Sequence, residues 1–241
     1  MGKLFIAGDT HGNIDIAKIE KFVSSYNKKL SKEDVLIIAG DAGIIWDASS
    51  DSEEEKELID FYTNLPITIA FIDGNHENHW RLSQLPTEYI FDNEVGVVAP
   101  NLYHLKRGKI YYICNKTIFT MGGGASIDKN RRQEFISWWK EEIPSFKEMI
   151  NALEVVEQYQ YIIDIVITHT APLSIFEEMS NELGLEYKNV FEEEELRILL
   201  DHLRELAQKY KYWFFGHFHD DWRSKKDPRF VCLFNYIFDI D

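Results

Sequence analysis

Hydrophobic and polar positions along the chain follow two rhythms. Short apolar runs at Leu4–Ala7, 35–39, 67–72, 162–167 and Tyr212–Phe215 are closed by glycine or polar turns, so they read as fully buried strands. Between them the apolar positions step by three and four. Ile16, Ile19, Val23, Tyr26 and Leu30 predict a helix that Asn13 would cap. Residues 52–64 predict a second, opened by Asp51-Ser52-Glu53-Glu54-Glu55, whose charges suit the positive end of a helix dipole, and closed by Pro66. A third starts at Pro144 and reaches about Gln158. A fourth, at 192–209, has an apolar face of Leu196, Leu199, Leu200, Leu203, Leu206 and Tyr210.

From Tyr89 to Met121 the runs shorten to 95–99, 102–105, 110–114 and 117–121, parted by Pro100-Asn101, Arg107-Gly108 and Asn115-Lys116. This predicts antiparallel hairpins that begin a second sheet. The tail, 230–240, alternates enough for one or two closing strands. Strands alternating with helices give an α/β class, and 241 residues without repeat or linker predict one domain, 1–241.

Charge narrows the partners. Lys and Arg number 26 against 41 Asp and Glu, a net −15. Nucleic-acid affinity rests on neutralising phosphates with Lys and Arg, so long nucleic acid is not an expected partner. A small anion drawn to bound cations is. Cys114 and Cys232 lie far apart in apolar β-like runs, where buried thiols are expected, and their number fits a reducing compartment. No apolar stretch has the length of a membrane span. The first strand enters a motif by Gly8, leaving no room for a signal peptide. A cytoplasmic protein is the expectation, and a homo-oligomer is compatible with the sequence.

The chemistry gathers at strand ends, where ligands collect in open α/β sheets. The first strand runs into Gly8-Asp9-Thr10-His11-Gly12, and the second into Gly40-Asp41. The third runs into Asp73-Gly74-Asn75-His76-Glu77, the fourth into Thr168-His169-Thr170, and the last into Gly216-His217-Phe218-His219. Asp9 with His11, and His217 with His219, sit at i and i+2, so one tight turn aims both at a point. Asp9, His11, Asp41, Asn75, His169, His217 and His219 form an oxygen and nitrogen set without sulfur. Such a set suits divalent manganese foremost here, with iron, zinc or magnesium as alternatives. Seven ligands exceed one tetrahedral ion and suit two, which in known pairs lie about 3.5–4 Å apart. Two such close cations need a bridging anion, a role expected of Asp41.

The order Asp-x-His, Gly-Asp, Gly-Asn-His-Glu, His, Gly-His-x-His, running from Gly8 to His219, resembles the calcineurin-like metallophosphoesterase superfamily. The resemblance implies a four-layer sandwich of two mixed β-sheets packed face to face with helices outside. It implies one metal held by Asp9, His11, Asp41 and His219, and another by Asp41, Asn75, His169 and His217. Hydrolysis of a small phosphoester (phosphodiester, nucleotide or dinucleoside polyphosphate) would follow, by attack of a metal-bridging hydroxide. Asn75 and His76 would touch the substrate, and His76 would protonate the leaving group. Glycines 8, 12, 40, 74 and 216 would let the backbone turn beside the ions.

One block departs from the pattern. Protein Ser/Thr phosphatases of the superfamily read Gly-Asp-x-x-Asp-Arg-Gly, whereas this chain reads Gly40-Asp41-Ala42-Gly43-Ile44-Ile45-Trp46. This disfavours the protein-phosphatase branch and leaves Glu77 or a backbone carbonyl to orient His76. In the glycine-rich loop, Lys129, Arg131 and Arg132 either grip substrate phosphate or solvate the loop. Trp46 and Trp80 either stack on substrate or, by preference, pack, while Trp138-Trp139 anchors the loop or an interface. His79, His104 and His202 lie outside the blocks and read as surface or satisfied core. The competing reading is a non-catalytic scaffold of the same fold that binds a protein partner. Such proteins lose ligands or the leaving-group histidine, and all eight residues are present here.

Overall fold

The computed structural model of the chain describes residues 2–26, 28–49, 52–184, 191–207 and 209–240. Its first half runs β1 (Leu4–Ala7), α1 (Ala17–Ser25), β2 (Val35–Ile38), α2 (Glu53–Asn64), β3 (Thr68–Phe71), α3 (His79–Ser83), β4 (Thr87–Ile90), β5 (Asn93–Ala99) and β6 (Leu102–Leu105). There follow β7 (Lys109–Ile113), β8 (Lys116–Met121), α4 (Phe146–Tyr159), β9 (Ile165–Thr168), α5 (Leu173–Leu183), α6 (Phe191–Leu206), β10 (Tyr212–Phe215), β11 (Trp222–Arg223), β12 (Phe230–Cys232) and β13 (Phe238–Ile240).

Two mixed sheets result, ordered β13-β1-β2-β3-β6-β5-β4 and β11-β12-β10-β9-β8-β7. Each has a parallel centre, β1-β2-β3-β6 in the first and β12-β10-β9-β8 in the second, with antiparallel strands at the margins. Successive side chains in a strand point to opposite faces, so a strand buried on both faces feeds two cores. Ile6, Ile37 and Ala70 of the first sheet pack with Ile118, Ile167 and Phe214 of the second to form the middle core. On the outer face of the first sheet, Phe5, Leu36 and Phe71 pack with Ile19, Leu58 and Tyr62 of α1 and α2. Across the molecule, Phe119, Val166 and Trp213 pack with Val156, Met179 and Leu200 of α4, α5 and α6. Three cores between four layers make the expected sandwich.

Several boundaries differ from the sequence reading. Asn13 caps nothing, because α1 begins four residues later, with Ile16 in the cap position and no side-chain cap. His11 and Gly12, at φ 44° and 58°, first turn the chain, and Asp15 N–H closes that turn on the Thr10 carbonyl at 3.0 Å. Ser52 does cap α2, accepting from the Glu55 N–H, while Asp51 lies outside the described residues. The 95–105 hairpin joins the first sheet, because β6 pairs in parallel with β3, a contact local periodicity cannot reveal. The second sheet starts only at β7. Strand 162–167 is shifted to Ile165–Thr168, and Ile162 is exposed. Helix α5 has no counterpart in the sequence reading, and α6 ends at Leu206, with Gln208 outside the described residues. The tail supplies two strands, one to each sheet. Among the described residues no helix is long and apolar enough to cross a membrane.

The middle core carries the alignment of the two sheets. Phe214 is fully buried there, with Tyr212 and Phe238 rings at 5.4 and 5.0 Å. Phe214→Ala should cost about 3–5 kcal/mol of unfolding free energy, read as a lower urea midpoint at unchanged slope. A loss under about 1 kcal/mol would show that this layer is not close-packed.

Candidate metal centre

The parallel centres of both sheets end on the same side, and each strand end delivers its block to one place. One ligand atom each from Asp9, His11, Asp41 and His219 lies within 4.8 Å of the others, and so do atoms from Asp41, His169 and His217. Asp41 belongs to both groups. Its Oδ2 lies 3.4 Å from His11 Nε2, and its Oδ1 lies 3.4 Å from His169 Nε2. The His76 backbone N–H fixes Oδ1 at 2.7 Å. Asp9 is held likewise, by the His217 N–H at 2.9 and 3.0 Å.

The backbone is strained where the candidate ligands sit. His11, Asp41, His217 and His219 all have positive φ, between 44° and 70°, a region costly for residues with a Cβ. Two glycines are required by close approach. A Cβ on Gly74 would lie 2.2 Å from Asp41 Oδ1, and one on Gly216 would lie 2.1 Å from Asp9 Oδ1.

Each buried imidazole is aimed from behind. His11 Nδ1 pairs with Asp15 Oδ2 at 2.9 Å, His169 Nδ1 donates to the Ala39 carbonyl at 2.9 Å, and His217 Nε2 lies 3.1 Å from Glu193 Oε1. A partner on one ring nitrogen sets the tautomer and leaves the other nitrogen for a metal. Asp15 and Glu193 escaped the sequence reading. The first was legible as an acid four residues after His11. The second lies at the buried face of α6, paired to Arg197 at 2.9 Å, within an acidic run that reads as solvated. Asn75 is also fixed, its Nδ2 donating to Ser126 Oγ at 3.2 Å and its Oδ1 lying 3.1 Å from His169 Nε2. His219 is half-exposed and stacks on Phe234.

The donors fit divalent cations. His11 Nε2 is buried without a hydrogen-bond partner and faces a carboxylate. Burial alone would depress the His11 imidazole, but the hydrogen bond and charge of Asp41 overcome it and push it up to about 9. His169 is raised likewise against burial, to about 10, by Asp41 and then Asp9. Burial raises the Asp9 carboxyl, whereas His169 and His11 overcome burial at Asp41 and hold it well below the usual range. Two carboxylates buried to this degree call for positive charge.

His76 belongs to neither ligand group. Its ring lies 5.3 Å from that of His11, stacks on Trp46 at 5.3 Å and 28°, and accepts from Arg132 Nη2, 3.2 Å from Nε2. Arg132 and Trp46 therefore orient it. Glu77 does not, because its carboxylate accepts from the N–H groups of Gly43 and Gly74, at 3.0 and 2.6 Å. Ile44 and Ile45 are buried core residues. A cleft of about 460 Å³ opens beside His11 and His76, lined also by Trp46, Asp47, Glu54 and Arg132. Arg131 is exposed and lies off this cleft, Lys129 sits over the Trp138 ring, and buried Trp139 anchors the loop. Trp80 is 62% exposed, against the packing expected of it. His202 is exposed on α6, whereas His79 and His104 are buried around Asp73.

Two face-to-face mixed sheets whose parallel ends converge on Asp and His clusters define a metallophosphoesterase-type fold and support a metal-dependent phosphoesterase. The sequence matches the family described as Metallophos, calcineurin-like phosphoesterase, over residues 2–221, and the chain belongs to that family. The crystal structure of TT1561 of Thermus thermophilus superposes over 100% of this chain and 98% of its own, with a TM-score of 0.55 and 10% identity, a likeness of fold alone. No curated protein matches the sequence.

Asp41→Asn should lower metal stoichiometry at both groups together, since a neutral amide offsets neither cation, whereas His11→Ala should deplete mainly one. Elemental analysis after dialysis measures this. Wild-type stoichiometry in Asp41→Asn would contradict a shared ligand.

Proposed function

We propose that the protein is a dinuclear metal-dependent phosphoesterase acting on small phosphoesters: a phosphodiester, a nucleotide or a dinucleoside polyphosphate. The observation that carries this reading is Asp41, one buried carboxylate common to two candidate ligand groups, of which His11 lines a cleft of about 460 Å³. Cations held there, manganese by preference, supply Lewis acidity toward phosphoryl oxygens and lower the pKa of a water ligand. Asp9, His11, Asp41 and His219 would hold one ion, and Asp41, Asn75, His169 and His217 the other.

The chain's own groups do the rest. Arg132 is the one Lys or Arg among the described residues lining the cleft, and its guanidinium can take a phosphoryl group bidentately. His76 gives its proton to the departing alkoxide, a step worth about 10²–10⁴-fold. In the free protein burial and then the Arg132 charge, against the pull of Asp41, push its imidazole down to about 4. A phosphoester anion against Arg132 cancels that opposing charge and favours the protonated ring. Asp47 and Glu54 on the cleft wall, with the net −15, oppose a long polyanion and allow a small one. The cytoplasm is the proposed location.

A hydrolysis screen of mono- and diesters with added Mn²⁺, with metal content measured on the same preparation, tests the reading. Saturating metal with no turnover of any ester would instead support a scaffold. His76→Ala should keep both metals, lose about 10²–10⁴-fold on an alkyl phosphodiester and much less on a nitrophenyl ester. Equal losses on both, or a lost metal, would contradict the acid role.

Removing Arg132 gives a pH test with a fixed sign. Its positive charge disfavours protonated His76, so Arg132→Ala raises the imidazole pKa. The limb of kcat/KM that falls as His76 deprotonates should move to higher pH, while KM rises. A shift to lower pH would contradict this coupling.

A further inference from the structure

Asn75 is the one amide among the candidate ligands, with an acceptor oxygen on one side and a donor nitrogen on the other. Only Oδ1 can bind a cation, so the amide must be held the right way round. Two buried residues of the segment after β8, Ser126 and Glu142, do this. The Ser126 N–H donates to Glu142 Oε1 at 3.0 Å, and the Ser126 hydroxyl donates to Glu142 Oε2 at 2.6 Å. Burial raises the Glu142 carboxyl, opposed by the Ser126 donors, the Trp138 indole and the Arg132 charge, so donors and a cation face it.

The direction of each bond sets the next. A carboxylate has no proton to give, so the single hydroxyl proton of Ser126 goes to Glu142, and Oγ can only accept from Asn75. It accepts from Nδ2 at 3.2 Å, which turns Oδ1 to the opposite side, 3.1 Å from His169 Nε2. His169 Nδ1 donates to the Ala39 carbonyl, so Nε2 of the neutral ring is an acceptor too. Two acceptors face each other there, an arrangement that a shared cation satisfies.

We propose that Glu142 and Ser126 are positioning residues for this ligand group. The buried carboxylate, acting through the Ser126 hydroxyl, sets the polarity of the Asn75 amide so that Oδ1 and not Nδ2 meets the ion. This rests on the reading of Asp41, Asn75, His169 and His217 as the ligands of one ion. Partners at this remove change metal affinity by about 10–100-fold.

The isosteric variant Glu142→Gln separates polarity from packing. The Ser126 N–H can only donate, so the glutamine Oε1 must face it and the glutamine NH₂ must face Oγ. The Ser126 proton is then free to turn to Asn75, whose amide flips and offers Nδ2 to the ion. Both bonds between Ser126 and Glu142 keep a counterpart in the variant, so the segment that carries Arg132 stays closed.

Chelator competition on the Mn²⁺-loaded protein, with each binding step resolved, tests this. Glu142→Gln should weaken one step about 10–100-fold and leave the step of Asp9, His11, Asp41 and His219 unchanged. Ser126→Ala removes a partner without reversing the amide, so it should weaken the same step by less. On that alanine background Glu142→Gln should add nothing further. A packing role alone predicts the reverse order, with the isosteric glutamine the milder change. That order, an undiminished glutamine effect on the alanine background, or equal losses at both steps would each overturn the proposal. Ester turnover is followed in parallel. The selective loss in a protein that turns over no ester would overturn the phosphoesterase reading alone, and turnover with all variants binding metal alike would overturn this inference alone.

Discussion

Everything at the metal centre depends on the burial of two carboxylates, Asp9 and Asp41, with 0 and 1% exposure, against imidazoles. Removing such charges from water costs several kcal/mol each unless opposite charge and hydrogen bonds compensate. The fold supplies part of this through the His217 N–H on Asp9, the His76 N–H on Asp41 and the imidazoles of His11, His169 and His219. Metal ions held by these groups would supply the rest. Ligands at positive φ persist because the packed strand ends behind them allow no other course.

The sandwich makes this convergence possible. Parallel pairing brings the carboxyl ends of β1, β2 and β3 level in one sheet and those of β8, β9 and β10 level in the other. Packing the sheets through Ile37, Ile167 and Phe214 then sets the two rows of ends side by side. Gly74 lets the end of β3 approach Asp41 within its own row, and Gly216 lets the end of β10 approach Asp9 of the facing row, each within a distance that a Cβ would close. Reactivity and stability thus share residues, since the strand ends that hold ligands terminate the strands that form the core.

Much of this was legible in the sequence because it is local. An apolar run ended by glycine and then Asp or His states both the strand and what it delivers, and such blocks brought Asp9, His11, Asp41, Asn75, His169 and His217 together. What stayed hidden is long-range. Glu193 lies 24 residues before His217 (217 − 193 = 24) in an acidic helix start, and only the packing of α6 on the second sheet turns it inward. The partners of His76, Arg132 and Trp46, lie on separate loops, and Arg132 could not be told from Arg131 by type or neighbourhood. The pairing of β6 with β3 depends on which sheet edge is free. Asn13 misled because it is a good cap residue placed where His11 and Gly12 demand a turn.

The central claim is that one carboxylate joins two metal sites. Electron paramagnetic resonance of the Mn²⁺-loaded protein tests it most directly, because ions sharing a bridge are spin-coupled and ions apart are not. A shared Asp41 should give two Mn²⁺ per chain at saturation and an exchange-coupled spectrum that gives way to isolated Mn²⁺ signals in Asp41→Asn. A wild-type spectrum of isolated Mn²⁺ at full loading would contradict it.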